Sequence, residues 1–421
     1  LYQQQTALKF PASIFRLDNG LTIIHQEISA TPVVVVDVWV RAGAVQEPDH
    51  WSGMAHFLEH MIFKGTDKIA PGIFDQVIES RGGVTNAATS HDYAHFYITT
   101  AEQYLEDTLT PLGELLLQAK IPDDEFIRER DVVLEEIRQA QDDVDSIEFQ
   151  LIMENIYSHH PYGRPVLGTP EKLMQRSPEE MRCFHQCHYQ PDNMAVVIVG
   201  GVKQNRAINA IKQAFDSFPS PQNCPCIGLT PEPKIREIRR QELQLPNAEQ
   251  ARLTLAWLGP DVKQLREAYG LDLLSVILAE GRTSRLVRML REELQLVDHV
   301  MSNFSLQQQS SLLTISALLD TQHIETVETL IRDCISSLQS EPISELELKR
   351  SQRLLCNDYA FSTETPDQLA GLYGYYFTVA EPELSMIYPT EIQSFEPDDL
   401  QELARKYLSL DCHAVTVILP G

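Results

Sequence analysis

Apolar residues along this chain fall into two kinds of run. Residues 21–25, 33–40 and 195–199 are short, nearly unbroken and rich in β-branched side chains, which predicts buried strands. Residues 94–99 form a further apolar run, which predicts another strand. Over 52–64, 71–80, 103–120, 122–142 and 177–188 the apolar positions recur every three or four residues, the period of an amphipathic helix. Ser177-Pro178-Glu179-Glu180 is a helix start: a capping hydroxyl, a proline in the first turn, then acids at the positive end of the dipole.

The pattern repeats. The strand run ending near Trp39 has a counterpart, ARLTLAWLG, with Trp257 218 residues later. Each is followed by a helical stretch and a glycine, Gly65 and Gly281, 216 residues apart. Each half closes on a buried-type strand, AVVIVGG from Ala195 and AVTVILPG from Ala414, 219 residues apart. Near-equal offsets point to a duplicated unit. Between the copies, residues 219–233 hold five prolines and no apolar period, the signature of an extended linker. The expectation is an α+β fold of two homologous α/β sandwich halves, 1–218 and 241–421, joined by a proline-rich linker at 219–240.

Composition narrows the functional classes. With 421 residues, 43% hydrophobic and 22% charged, the chain suits a globular protein of two or three domains. No stretch approaches the ~20 apolar residues of a membrane span. A net charge of −26 argues against nucleic acid and anionic membranes as partners. It is compatible with a basic substrate, though a solvated acidic surface explains it as simply. Seven cysteines, odd in number and spread along a long chain, are not a disulfide framework and read as reduced thiols. The chain opens on Leu1 rather than methionine, so a removed leader stays open. The expected compartment is the bacterial cytoplasm, with the periplasm or an organelle as alternatives.

One motif carries chemistry. In His56-Phe57-Leu58-Glu59-His60 a helix turns ~100° per residue, so His56, Glu59 and His60 fall in one arc while Phe57 and Leu58 point into packing. Ser52 can cap this helix and Gly65 can end it. Two imidazoles four residues apart can grip a zinc ion, and the glutamate beside them can take the proton of a water that the ion acidifies. The order H-x-x-E-H is that of the inverted zincins. The plain alternative is a polar helix surface. A catalytic zinc needs a third protein ligand, and the helix with Glu129, Glu135 and Glu136 is the best source. Glu129 and Glu136, seven apart, share a face, with Glu135 about 100° away; spacing leaves the choice open. Cys183-Phe184-His185-Gln186-Cys187-His188 is rich in soft ligands, but no second cluster along the chain completes a zinc site. The Gly82-Gly83 turn leads into small polar residues that could form an edge for an extended peptide, or an ordinary hairpin arm. No phosphate-binding loop or dinucleotide fingerprint is present.

Together HFLEHMIFKGT, GGVTNAATSHDYAHFY, ERDVVLEEI, HPYGRPVLGTPE and YQPDNMAVVIVGG resemble the pitrilysin/insulinase metallopeptidases over essentially the whole chain. The resemblance is to the short branch related to mitochondrial processing peptidase and its bacterial relatives. It implies a zinc-dependent endopeptidase acting on flexible peptides in an enclosed chamber. It assigns His56, His60 and Glu136 as zinc ligands and Glu59 as general base. Glu129 becomes the carboxylate that orients the ligands, and Asn86 and Ala87 the substrate-backbone contacts. The family's second element is an Arg and a Tyr seven residues apart. Here Arg291 is present, but Asp298 stands at the tyrosine position. The resemblance therefore implies a zinc subunit that relies on a homologous partner for an Arg/Tyr pair, or a homodimer. The competing reading is a non-catalytic structural or peptide-binding subunit of the same fold.

Overall fold

The computed structural model describes residues 10–225 and 228–421. In the first part of the chain the strands are β1 (Ser13–Arg16), β2 (Thr22–Glu27), β3 (Val33–Val40), β4 (Val84–Thr89), β5 (Ala94–Ala101) and β6 (Met194–Gly200). They form one sheet in the order β1-β2-β6-β3-β5-β4. The β2–β6 pair is parallel and the other pairs are antiparallel. The central strands β3 and β6 are buried along nearly their whole length. That is why they read as unbroken β-branched runs rather than as alternating ones. β4 pairs on one side only, so it is the edge strand. The small polar residues that follow the Gly82-Gly83 turn are thus both a hairpin arm and a sheet edge.

Helices α1 (Met54–Ile62), α2 (Ile73–Glu79), α3 (Leu105–Leu117), α4 (Asp123–Asp142), α5 (Val144–Ile156), α6 (Pro170–Met174), α7 (Pro178–His188) and α8 (Gln204–Ala214) lie in the first part of the chain. Ser177 caps α7, as its sequence predicts, and Glu180 completes a full capping box with it. The second part holds α9 (Leu265–Ala279), α10 (Ile324–Ser340), α11 (Glu345–Phe361), α12 (Pro366–Val379), α13 (Tyr388–Ser394) and α14 (Pro397–Tyr407). Its strands are β7 (Arg239–Leu245), β8 (Ala251–Gly259), β9 (His299–Leu306), β10 (Ser311–Leu319) and β11 (Ala414–Pro420). They form a sheet in the order β7-β11-β8-β10-β9, with β7 and β11 parallel. This repeats the order β2-β6-β3-β5-β4 strand for strand, so the fold is a duplicated α+β unit.

Register corrects one detail of the repeat. Ala195 pairs with Trp39, whereas its counterpart Ala414 pairs with Ala256. The tryptophans are therefore one residue out of phase, and a slip of one residue changes the face of a sheet. Trp257 packs in the core with Leu253 and Leu255. Trp39 lies on the face opposite Val36, Val38 and Val40, packed with Tyr373 and Phe377 of α12.

The chain divides into two compact units that do not follow the linear boundary. One takes in residues up to Ile137, Pro165–Gly228 and Ser362–Ile387; the other holds Arg138–Arg164, Leu229–Phe361 and Tyr388–Gly421. The cause is an exchange of helices. α12, late in the chain, covers the second face of the first sheet, where a Cβ on Gly374 would come within 2.0 Å of the Trp39 indole nitrogen. α5, early in the chain, packs on the second sheet, where Glu148 accepts from Thr254 Oγ1 at 2.7 Å and pairs with Arg252 at 2.8 Å. Among the described residues 219–238 carry no helix or strand, and β7 begins at Arg239, two residues inside the expected linker.

Candidate metal centre

α1 begins after Gly53, whose φ of +93° suits glycine. Ser52, the cap expected from sequence, makes no capping hydrogen bond. The buried carboxylate of Glu47 does the work instead. Gly53 N donates to its Oε2 at 2.9 Å and Ala55 N to its Oε1 at 2.7 Å. A negative charge at this end of a helix satisfies orphan N–H groups and complements the dipole. Behind it, a Cβ on Gly168 would meet Ser52 O at 2.5 Å, and one on Gly53 would meet Leu167 O at 2.7 Å. The Gly168-Thr169-Pro170 turn thus lies directly against the start of α1. The helix ends at Ile62; Gly65 follows in the left-handed region at φ +95°.

Phe57, Leu58, Met61 and Ile62 pack into the core, with the Phe57 ring 4.6 Å from that of Phe126 on α4. This contact sets α4 beside α1 and turns one carboxylate face toward the two histidines. Glu136 Oε2 lies 3.6 Å from His56 Nε2 and 3.5 Å from His60 Nε2. The three ligand atoms fall within 4.8 Å of one another. Glu129, on the same face and buried, sits 3.0 Å from His60 Nδ1 and 2.6 Å from Lys64 Nζ. Glu135 points outward and is exposed. Helix phase therefore separates glutamates that spacing left unresolved.

Glu59 occupies the adjoining position. Its Oε2 accepts a 2.6 Å hydrogen bond from Thr89 at the end of β4. Burial raises its pKa, against the lowering effect of Thr89. The two imidazoles differ sharply. Burial pushes His56 down to about 4 despite the nearby Glu136. Burial also opposes charge on His60, but hydrogen bonds to Glu129 and Glu136 outweigh it and lift the ring to about 9. Glu136 is held low, first by His60. Burial disfavours ionised Glu129, yet His60 and Lys64 hold it low too.

The donor set fits zinc: two ring nitrogens and one carboxylate oxygen face a common point. With Glu129 accepting from His60 Nδ1, the Nε2 lone pair is the one left for an ion. His56 Nδ1 is buried with no hydrogen-bond partner among the described residues.

Asn86 and Ala87 lie on β4, the edge strand; Ala87 N donates to its neighbour's Asn86 Oδ1 at 2.9 Å. Arg291 belongs to the second compact unit, in the π-helical turn Val287–Glu293, and pairs with Glu292 at 2.8 Å. Asp298 is exposed and accepts a hydrogen bond from the Gln250 side chain. Sequence reasoning missed Thr89, Lys64 and Glu47. Lys64 had a signal, since it lies four residues beyond His60, within reach of the same face if the helix or its last turn continues. Thr89 and Glu47 reach the site from a strand end and a loop, where no period marks them.

Two sheets that share a five-strand order, with a His/His/Glu cluster beside the first, define a two-half peptidase-like fold. The chain belongs to the insulinase family, peptidase family M16. The family model described as Insulinase (Peptidase family M16) matches residues 22–170, and that described as Peptidase M16 inactive domain matches 176–355. A zinc protease of Helicobacter pylori is 27% identical over 411 residues, covering 96% of this chain and 91% of the relative. A probable mitochondrial-processing peptidase subunit beta of Arabidopsis thaliana is 29% identical over 250 residues, 58% of this chain and 47% of that one. The crystal structure of a protease from Helicobacter pylori superposes with a TM-score of 0.91 at 26% identity, covering 97% of this chain and 99% of its own.

Proposed function

We propose that this chain is a zinc-dependent endopeptidase for flexible peptides, working as the catalytic subunit of a dimer. The observation that carries the reading is the convergence of His56 Nε2, His60 Nε2 and a Glu136 oxygen within 4.8 Å, with Glu59 alongside. His56, His60 and Glu136 would hold the ion. When bound, zinc would act there as a Lewis acid toward water and a peptide carbonyl. Glu59 takes and returns the proton; its raised pKa suits a group that must do both. Thr89 holds the carboxylate in one orientation through its 2.6 Å hydrogen bond. Glu129 positions His60 and is itself held by Lys64. Asn86 and Ala87, on the open edge of β4, would pair with extended substrate backbone. With Asp298 at the family's tyrosine position, a homologous subunit bearing Arg and Tyr would supply the missing donor to the developing oxyanion.

The test combines metal analysis with a quenched peptide substrate. Wild type with the homologous partner should carry zinc at the site and cleave. Glu59→Gln should keep the zinc and lose turnover, whereas His60→Ala should lose the zinc as well. Zinc at this site unchanged in His60→Ala would overturn the ligand assignment. Retained turnover in Glu59→Gln would overturn the role of the base.

A further inference from the structure

The C-terminal part of α7 carries Cys183 and Cys187, one turn apart and so on one face, followed by His188. Along the chain this group lacks a completing cluster. The fold supplies one residue from the irregular segment after α8. Cys224 is buried against α7, its Sγ 3.4 Å from Cys183 Sγ. The Cys187 and Cys224 sulfurs and a ring nitrogen of His188 lie within 4.8 Å of one another. All four residues belong to the first compact unit. None of the three thiols is in a disulfide. The His188 ring packs on Phe184, centroids 4.4 Å apart, and burial pushes its pKa down to about 4, so it is a neutral imidazole. Burial raises the Cys224 thiol, and the neighbouring Cys183 and Cys187 raise it further.

Thiols are weak hydrogen-bond donors and acceptors, so the contact of Cys183 with Cys224, and of Cys224 with its neighbours Cys187 and His188, gains little by itself. A single cation of the softer kind replaces their protons with strong bonds. With Zn–S near 2.3 Å, tetrahedral ligand sulfurs stand about 3.8 Å apart, against 3.4 Å between Cys183 and Cys224 and at most 4.8 Å between Cys187 and Cys224 here. Three sulfurs and a neutral imidazole are the donor set of a structural zinc site, and no carboxylate belongs to the group.

We propose that Cys183, Cys187, His188 and Cys224 form a second metal site, for zinc or a similar thiophilic divalent cation, which fastens the segment between the two halves to α7. The site is structural, because four protein donors leave no position for a substrate. It shares no residue with the His56/His60/Glu136 cluster, so the two stand or fall separately. Cys226 lies outside the described residues and is left out of the site.

Cobalt(II) separates the sites, because only thiolate ligands give an intense sulfur-to-cobalt charge-transfer absorption. The full chain carrying His56→Ala and His60→Ala, purified under reducing conditions, should bind one equivalent of cobalt with that absorption. Adding Cys187→Ser and Cys224→Ser should abolish both. A second measurement needs no thiol variant. In the wild-type chain loaded with zinc, removal of the metal by a chelator should make three further thiols reactive toward a thiol reagent. No thiolate absorption, or no gain in reactive thiols, would overturn the proposal. So would a Cys183–Cys224 disulfide found by mass spectrometry of anaerobically purified protein.

Discussion

His60 and Glu136 show how a single side chain's direction decides chemistry. Glu135 and Glu136 are neighbours in sequence, yet one is exposed and the other lies 3.5 Å from His60 Nε2. Glu136→Gln should lower zinc affinity by roughly 100-fold, whereas Glu135→Gln should leave it within about twofold, read by competition with a chromophoric chelator. Equal losses would mean that the phase of α4 is wrong. Glu47 sits further out. Glu47→Gln keeps an acceptor but removes the charge facing two N–H groups of α1, so it should cost about 1–2 kcal/mol in urea unfolding. The His-x-x-Glu-His spacing was legible in the sequence because ligands on one helix are linked by local geometry. Glu47 was not, because its partner groups are backbone amides that any sequence would offer.

The elements carry their own tests. β4 is an edge, and Ala87 N donates to the side chain of the preceding residue. Proline there removes an N–H of an edge strand, so Ala87→Pro should fold while raising KM for peptides about tenfold, with kcat less affected. A larger fall in kcat than rise in KM would place the substrate elsewhere. In α9, burial pushes Asp272 up to about 6, opposed by a hydrogen bond from Tyr388 and reinforced by Asp358. Its folded pKa lies above the ordinary 3.8, so the protonated form stabilises the fold below pH 4 and that stability is lost as pH rises through 6. Asp272→Asn should therefore stabilise the protein by on the order of 2 kcal/mol at pH 8 relative to pH 4, measured by denaturant unfolding at both pH values. Strand existence was plain from β-branched runs. The face of Trp39 was not, because a one-residue shift between repeats leaves composition unchanged while moving every side chain across the sheet.

For the molecule as a whole, the proposal turns on a missing group. Stabilising an oxyanion is worth ~3 kcal/mol, about a hundredfold in rate. A tyrosine hydroxyl donates to an oxyanion, whereas the side-chain oxygens at Asp298 are acceptors, as in its hydrogen bond from Gln250. The purified chain should therefore bind zinc but cleave peptides roughly 100-fold more slowly than its mixture with a homologue bearing the Arg/Tyr pair, followed by steady-state kinetics. Full activity of the isolated chain would remove the need for a partner. With a net charge of −26, capture of Lys/Arg-rich peptides should also slow as salt rises, seen as a fall in kcat/KM.

The sequence was enough for what depends on neighbours along the chain: the buried strands, the capped start of α7, the His56/Glu59/His60 arc and the duplication. Periodicity and repeat offsets are written in one dimension. Two features needed the tertiary structure: Cys224 closing on α7, and α5 and α12 exchanged between the two units. Each joins residues brought together by packing of apolar faces, and that packing constrains which side chains meet without leaving any fixed spacing between them in the chain.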